Sequence, residues 1–160
     1  MQMLERARPV IQWLLDPDVR DLDDAWMFGR LAQLLCNRGL PLWSATTTMR
    51  GVQAEIPMRR LTWRRGTSAE ESSTAPVAGG QEEIEARMLE DGEMLARLPL
   101  SPAAEEHRFS YCKGLAEEGG RELILFGLPM SRGNGTFAAW VTDREEGFDD
   151  DDVELLEAIV

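Results

Sequence analysis

The strongest constraint on the fold lies near the C-terminus, where two apolar runs face each other across a turn signal. Glu122 to Met130 (ELILFGLPM) is the most hydrophobic stretch of the chain. Gly135 to Thr142 (GTFAAWVT) follows after Ser131-Arg132-Gly133-Asn134. Gly133-Asn134-Gly135 tolerates positive φ, so the two runs predict a β-hairpin. A strand as apolar as the first is covered on both faces and belongs at the centre of a sheet. The rest of the chain has to supply that cover.

Helical spacing supplies much of it. Pro9 to Leu15 is a short apolar segment ended by Asp16-Pro17. A helix is predicted over about 20–38, with Asp21 as cap, Leu22, Trp26, Leu31 and Leu35 on one stripe, and Asn37-Arg38-Gly39 as its stop. The period then changes. Pro41 to Arg50 and Ile56 to Arg65 read as paired strands, with Pro57 marking an edge or bulge. Residues 66–80 are small and polar and read as a long mobile loop. Helix resumes at Gln81–Leu89, a short strand is expected over Met94–Leu100, and a helix over Ala103–Glu118 behind Ser101-Pro102. Asp149 to Asp152 open a last amphipathic helix through Val153, Leu155, Leu156 and Ile159, which runs uncapped to Val160. That ending leads us to expect a chain cut from something longer. The order predicts an α+β domain: a five-stranded, mainly antiparallel sheet flanked by helices. An N-terminal segment with a short helix (1–19) precedes the main domain (20–160).

Charge narrows the partners. The 160 residues carry 17 basic and 29 acidic side chains, a net charge of −12. Residues 1–80 hold ten basic and nine acidic groups, whereas 81–160 hold seven and twenty. Nucleic-acid and anionic-membrane binding both call for clustered positive charge, and only the pairs Arg59-Arg60 and Arg64-Arg65 occur. No apolar run reaches the roughly 18 residues of a membrane helix. Cys36 and Cys112 form no CxxC motif, which fits a cytoplasmic protein. Sixteen of the 17 basic residues are arginine, which suggests a bacterial, GC-rich coding sequence.

The element order resembles a GAF domain. Particular residues carry a closer likeness: Gly39-Leu40-Pro41-Leu42-Trp43, then Arg50, then Leu61-Thr62-Trp63-Arg64-Arg65-Gly66. Further on come Leu128-Pro129-Met130, Ala138-Ala139-Trp140-Val141-Thr142-Asp143-Arg144 and Gly147-Phe148. These runs are similar to the GLPLWR … WRRG … WATDRPGGF pattern of GAF-like domains that precede class III adenylate or guanylate cyclase catalytic domains in bacteria. The resemblance covers about residues 20–160. It implies a sensory domain that binds a small ligand or cofactor, works as a homodimer and controls a linked cyclase through its flanking helices. The chain departs from the pattern at Ser44-Ala45-Thr46-Thr47-Thr48-Met49, where relatives are rich in Leu and His, and at His107–Cys112.

No catalytic set stands out. There is a single histidine, His107, and no phosphate loop or nucleophile elbow. The expected ligand-binding residues are Trp43, His107, Tyr111, Cys112 and Trp140. His107 and Tyr111 share a helix face at i,i+4 with Cys112 beside them, and could line a pocket. His107 or Cys112 could also hold a haem iron. Packing is the plainer alternative for all three. Trp43, Trp63 and Trp140 could form an aromatic pocket wall or simply fill the core. Arg64-Arg65 could meet an anion or end a solvated strand. The acids at 149–152 could hold a hard cation or simply favour a helix N-terminus. A dimerisation module without any ligand is the main alternative function.

Overall fold

The computed structural model describes residues 2–49, 58–74, 79–100, 109–129 and 135–160. Along the chain come α1 (Gln2–Leu14), α2 (Asp24–Asn37), β1 (Leu42–Met49), β2 (Met58–Arg64) and β3 (Glu70–Thr74). Then follow α3 (Gln81–Asp91), β4 (Leu95–Pro99), α4 (Ser110–Glu117), β5 (Glu122–Pro129), β6 (Gly135–Thr142) and α5 (Asp150–Ile159). The strands form one sheet in the order β3-β2-β1-β6-β5-β4, and every neighbouring pair is antiparallel. The C-terminal runs pair as expected, from Glu122 opposite Thr142 to Pro129 opposite Gly135 without a slip. The turn signal at Gly133-Asn134 lies outside the described residues.

The sheet is covered on both sides. On one face Ile124, Phe126, Ala138 and Trp140 pack with Ala7 and Val10 of α1, Phe28, Ala32 and Leu35 of α2, and Leu155 and Leu156 of α5. On the other, Leu123, Leu125, Phe137 and Val141 pack with Ile84 and Met88 of α3 and Cys112 and Leu115 of α4. Burial on both faces is why β5 reads as an unbroken apolar run.

Three details differ from the sequence reading. The sheet has six strands, not five, because β3 forms inside the stretch expected to be a loop. Its sequence, Glu-Glu-Ser-Ser-Thr, lacks an apolar alternation. Pairing with β2 holds it instead, helped by Arg59 donating to both Glu71 carboxylate oxygens at 2.7 and 3.0 Å. Helix α1 begins at Gln2 rather than near Pro9, since Ala7 and Val10 extend its buried stripe towards the N-terminus. Helix α2 begins at Asp24. Asp16 caps a separate 3-10 turn over Pro17–Asp21, and Asp23 caps α2 by accepting from the Trp26 N–H at 3.0 Å. Helix α4 is described from Ser110, while 101–108 lie outside the described residues.

The motif residues converge on one end of the sheet and build its corners. Arg65 donates to the Leu42 carbonyl at 2.9 and 2.7 Å and grips Asp143 with two bonds of 3.0 Å. The WRRG, GLPLW and TDR segments are thereby tied at a single guanidinium. Arg144 folds back onto the Gly147 carbonyl at 2.6 Å and reaches Asp152 at 2.7 Å. Asp152, 3% exposed, also holds Arg6 of α1 at 3.3 Å and closes a capping box with Asp149. The acidic run at 149–152 is thus the start of α5. Gly147 sits at φ +78°, and a Cβ there would lie 2.4 Å from Glu122 Oε2. That carboxylate accepts from the Phe148 N–H at 2.6 Å and from Arg97. The charge network therefore joins the exit of β6 to both terminal helices, α1 and α5.

Candidate functional site

The first turn of α3 lies against β1 and β2 and brings polar side chains inside. Leu61 and Trp63 of β2 belong to the opposite face, so alternation turns Arg60 and Thr62 towards α3. The β1–β2 register sets Thr46 opposite Thr62 and Thr48 opposite Arg60. Onto this polar patch α3 lowers Gln81, Glu82 and Glu85, of which Gln81 is 1% exposed and Glu85 fully covered. Gln81 Nε2 donates to Glu85 Oε1 at 2.7 Å, one helical turn on, and to Thr48 Oγ1 at 3.3 Å. Arg60 is bonded through Nη2 to the Glu82 carboxylate.

From α4, half-buried Tyr111 borders the same patch, with Thr46 beside its phenol. Burial pushes its phenol well above the usual tyrosine range, and the Glu85 charge adds to that rise while Arg60 opposes it. Tyr111 therefore stays a neutral hydroxyl at any physiological pH.

Two buried atoms in this cluster have no hydrogen-bond partner: Arg60 Nε and Gln81 Oε1. The first is a donor and the second an acceptor. An unmade bond in a covered site costs about 1–3 kcal/mol; the Trp140 indole N–H, on the other face, is a third such atom but stands alone. Placed on adjacent elements around Thr48, the two atoms could engage a small molecule that carries both an acceptor and a donor.

The expected site residues divide between the two faces. Trp43 and Tyr111 border the α3–α4 side, and Cys112 is buried in it. Trp140 is buried on the other face, its ring centroid 6.2 Å from that of Phe28, and Trp63 lies on that face too. A single aromatic wall is therefore not formed. The physical reason is an irregularity between Leu42 and Ser44 in the pairing of β1 with β6. It puts Trp43 and Ala45, two residues apart, on opposite faces. Trp43 instead carries the Arg64 guanidinium 4.8 Å above its ring, and Arg64 also binds Glu118. Arg65 serves the sheet corner. His107 lies outside the described residues.

Haem does not fit the described donor. Cys112 is 0% exposed and packed among Leu115, Leu123 and their neighbours, so its sulfur has no open side for an iron. Among the described residues there is no group of three or more His, Cys, Asp or Glu arranged to hold a metal. No described helix is long and apolar enough to cross a membrane.

The sequence reading missed Thr46, Thr48, Arg60, Gln81, Glu82 and Glu85. The threonines read as strand residues, and Gln81–Leu89 reads only as a helix through Ile84, Met88 and Leu89. Only the packing of α3 over β1 and β2 shows that these groups share one interior.

No protein-family model matches the sequence, and no curated protein matches it. A solved structure is similar: the GAF domain of a two-component sensor histidine kinase from Bacillus halodurans. It has a TM-score of 0.50 and 13% identity, covering 74% of this chain and 76% of that one. At that identity the likeness speaks for the fold, and the fold is GAF-like.

Proposed function

We propose that this chain is a sensory domain with no catalysis of its own, which binds a small ligand beneath α3 and α4. In this reading it controls a linked nucleotide cyclase through α1 and α5, in the cytoplasm and as a homodimer. The observation that carries it is the cluster of buried Thr46, Thr48, Gln81 and Glu85 with half-buried Arg60 and Tyr111 at its edge, and its unpaired donor and acceptor. The Arg6–Asp152–Arg144 link supports the second half, because it makes the terminal helices one unit packed across the same sheet. A ligand that favours one arrangement of that unit would shift the output of whatever follows α5. The cyclase rests on the motif resemblance.

The test joins the domain ahead of a class III cyclase catalytic domain and measures cyclic nucleotide formation. Glu85→Gln and Gln81→Leu should each change the basal rate by about fivefold or more, the scale of a coupling free energy of 1 kcal/mol. Unchanged output from folded variants would sink the sensory reading. A dimerisation module is the second reading, favoured by Leu4 and Leu15, which leave most of their surface exposed on and just after α1. It predicts a dimer that dissociates on Leu4→Glu, with no response at the buried cluster.

A further inference from the structure

A groove of about 500 Å³ opens between α2 and the connection from β2 to β3, on the face away from the buried cluster. Its floor is the buried Trp63, and Gly29 lets α2 lie close over it. A Cβ at Gly29 would stand 3.2 Å from Ala69 Cβ and 3.6 Å from the Trp63 ring. Trp26 forms one wall and is 55% exposed. An indole so open to water, above a groove, is a surface with spare apolar area.

Arg30 lies four residues on, on the same helix face, and lines the same groove. In a chain of net charge −12, Arg59, Arg60, Arg64, Arg65, Arg97 and Arg144 each hold a carboxylate. Arg30, like Arg8, Arg20, Arg38 and Arg121, holds none among the described residues, and it lines the groove. Asp23 stands at the other end of the groove, already engaged by the Trp26 N–H. The groove thus offers a flat aromatic face, an open guanidinium and one flanking negative charge.

We propose that this groove binds a planar aromatic monocarboxylate, its ring against Trp26 and its carboxylate on Arg30. A guanidinium takes a carboxylate with two parallel hydrogen bonds, and an indole takes a flat ring with little loss of freedom. Asp23 and the acidic surface disfavour a dianionic phosphate or a nucleic-acid strand. The volume falls within the usual range for a small-molecule site. The site is separate from the cluster beneath α3, so neither depends on the other.

The test is titration of the full chain with 1-naphthoate, followed by NMR of the indole and backbone N–H signals. Trp26→Phe assigns the Trp26 indole. The expected result is saturable movement of the Trp26 indole and the Gly29 and Ser68 amides, with a Kd on the order of a millimolar or below. Arg30→Gln and Trp26→Ala, both at exposed positions, should each weaken binding about tenfold, a difference of 1.4 kcal/mol. 1-Naphthamide, with the same ring and no charge, should bind weaker by a similar factor. Arg30→Lys should fall between. The proposal is overturned if shifts map to α3 and α4, if the amide binds as well as the acid, or if folded variants bind unchanged. It is also overturned if the Trp26 signal moves only with protein concentration, which would make the groove a contact between copies.

Discussion

The two faces of the sheet are built from alternate residues of the same strands, yet they differ in kind. Towards α1, α2 and α5 the inner strands present Ala45, Leu61, Trp63, Ile124, Phe126, Ala138 and Trp140. Towards α3 and α4, β5 and β6 are equally apolar, but β1 and β2 turn in Thr46, Thr48, Arg60 and Thr62. Strand geometry cannot explain this, since the two faces share it. Acidic composition does not separate them either, because each face covers carboxylates: Glu122 of β5 on the first, and Glu82 and Glu85 of α3 on the second. Buried polar groups on the first side gather at the sheet corner, at Glu122 and Asp152, whereas on the second they lie under the first turn of α3. Groups that need partners stand there in place of Leu and Val, and that is the ground on which the proposed ligand site rests.

The contrast predicts unequal responses to mutation. On the apolar face, Trp140→Ala removes a buried indole and should cost about 3–5 kcal/mol in chemical denaturation. Trp140→Phe should recover most of that loss, because the Trp140 N–H has no partner to give up. On the polar face, Gln81→Leu removes an unpaired carbonyl but also the amide that donates to buried Glu85 and to Thr48, and should cost about 1–3 kcal/mol, less than Trp140→Ala. If Gln81→Leu proved as damaging as Trp140→Ala, the cluster would be structural and the comparison would fail.

Between these extremes lie the corners that hold both faces in register. Asp152→Ala strips the carboxylate from Arg6 and Arg144 and opens the capping box of α5. Breaking a buried ion pair from one side costs about 3–5 kcal/mol, and the partial exposure of Arg144 puts this case at the lower end. Hydrogen exchange should show the loss concentrated in α1 and α5. Gly147→Ala puts a side chain at positive φ against Glu122. It should cost roughly 1–3 kcal/mol of stability, read from the thermal midpoint, while leaving the α3 cluster intact.

The sequence carried the frame of this molecule because the frame follows from period. The hairpin of β5 and β6 and the acidic opening of α5 announce themselves through apolar spacing and capping residues, whereas the stripe of α2 is only partly legible: Leu35 is buried as expected, but with Phe28 and Ala32, while Leu22 and Trp26 are exposed. What escaped has no period to read. β3 is a polar edge strand whose order comes from pairing with Met58–Arg64. The irregularity at Leu42–Ser44 moves Trp43 to the face opposite Trp140, and nothing in Leu-Trp-Ser-Ala announces a bulge. The buried cluster combines residues 46–48, 60, 81–85 and 111, distant in sequence and each ordinary alone. In the sequence Tyr111 and Cys112 stand out by their adjacency to His107, whereas in the fold Tyr111 borders the α3 cluster and Cys112 is buried in the core.

Tyr111 gives the gentlest test of the polar face, and one that needs no ligand. It is the single tyrosine of the chain, so tyrosinate absorbance reports on it alone. Burial raises its pKa above the ordinary value of 10.0. In the unfolded chain the phenol loses its proton near pH 10, while the native phenol keeps it. Above that pH the unfolded state binds fewer protons than the native one, so stability falls as pH rises. Below it the two states hold the same proton and the contribution is flat. Native protein should therefore show no tyrosinate as pH passes 10, and unfolding should release it at once. Burial pushes the Cys36 thiol upward as well, and Tyr111→Phe separates the two: the variant should lose the part of the alkaline slope that belongs to the phenol. If the native phenol ionised at the ordinary pH, Tyr111 would be open to water. The cluster beneath α3 would then be a solvated edge, no different from the exposed rim of the sheet.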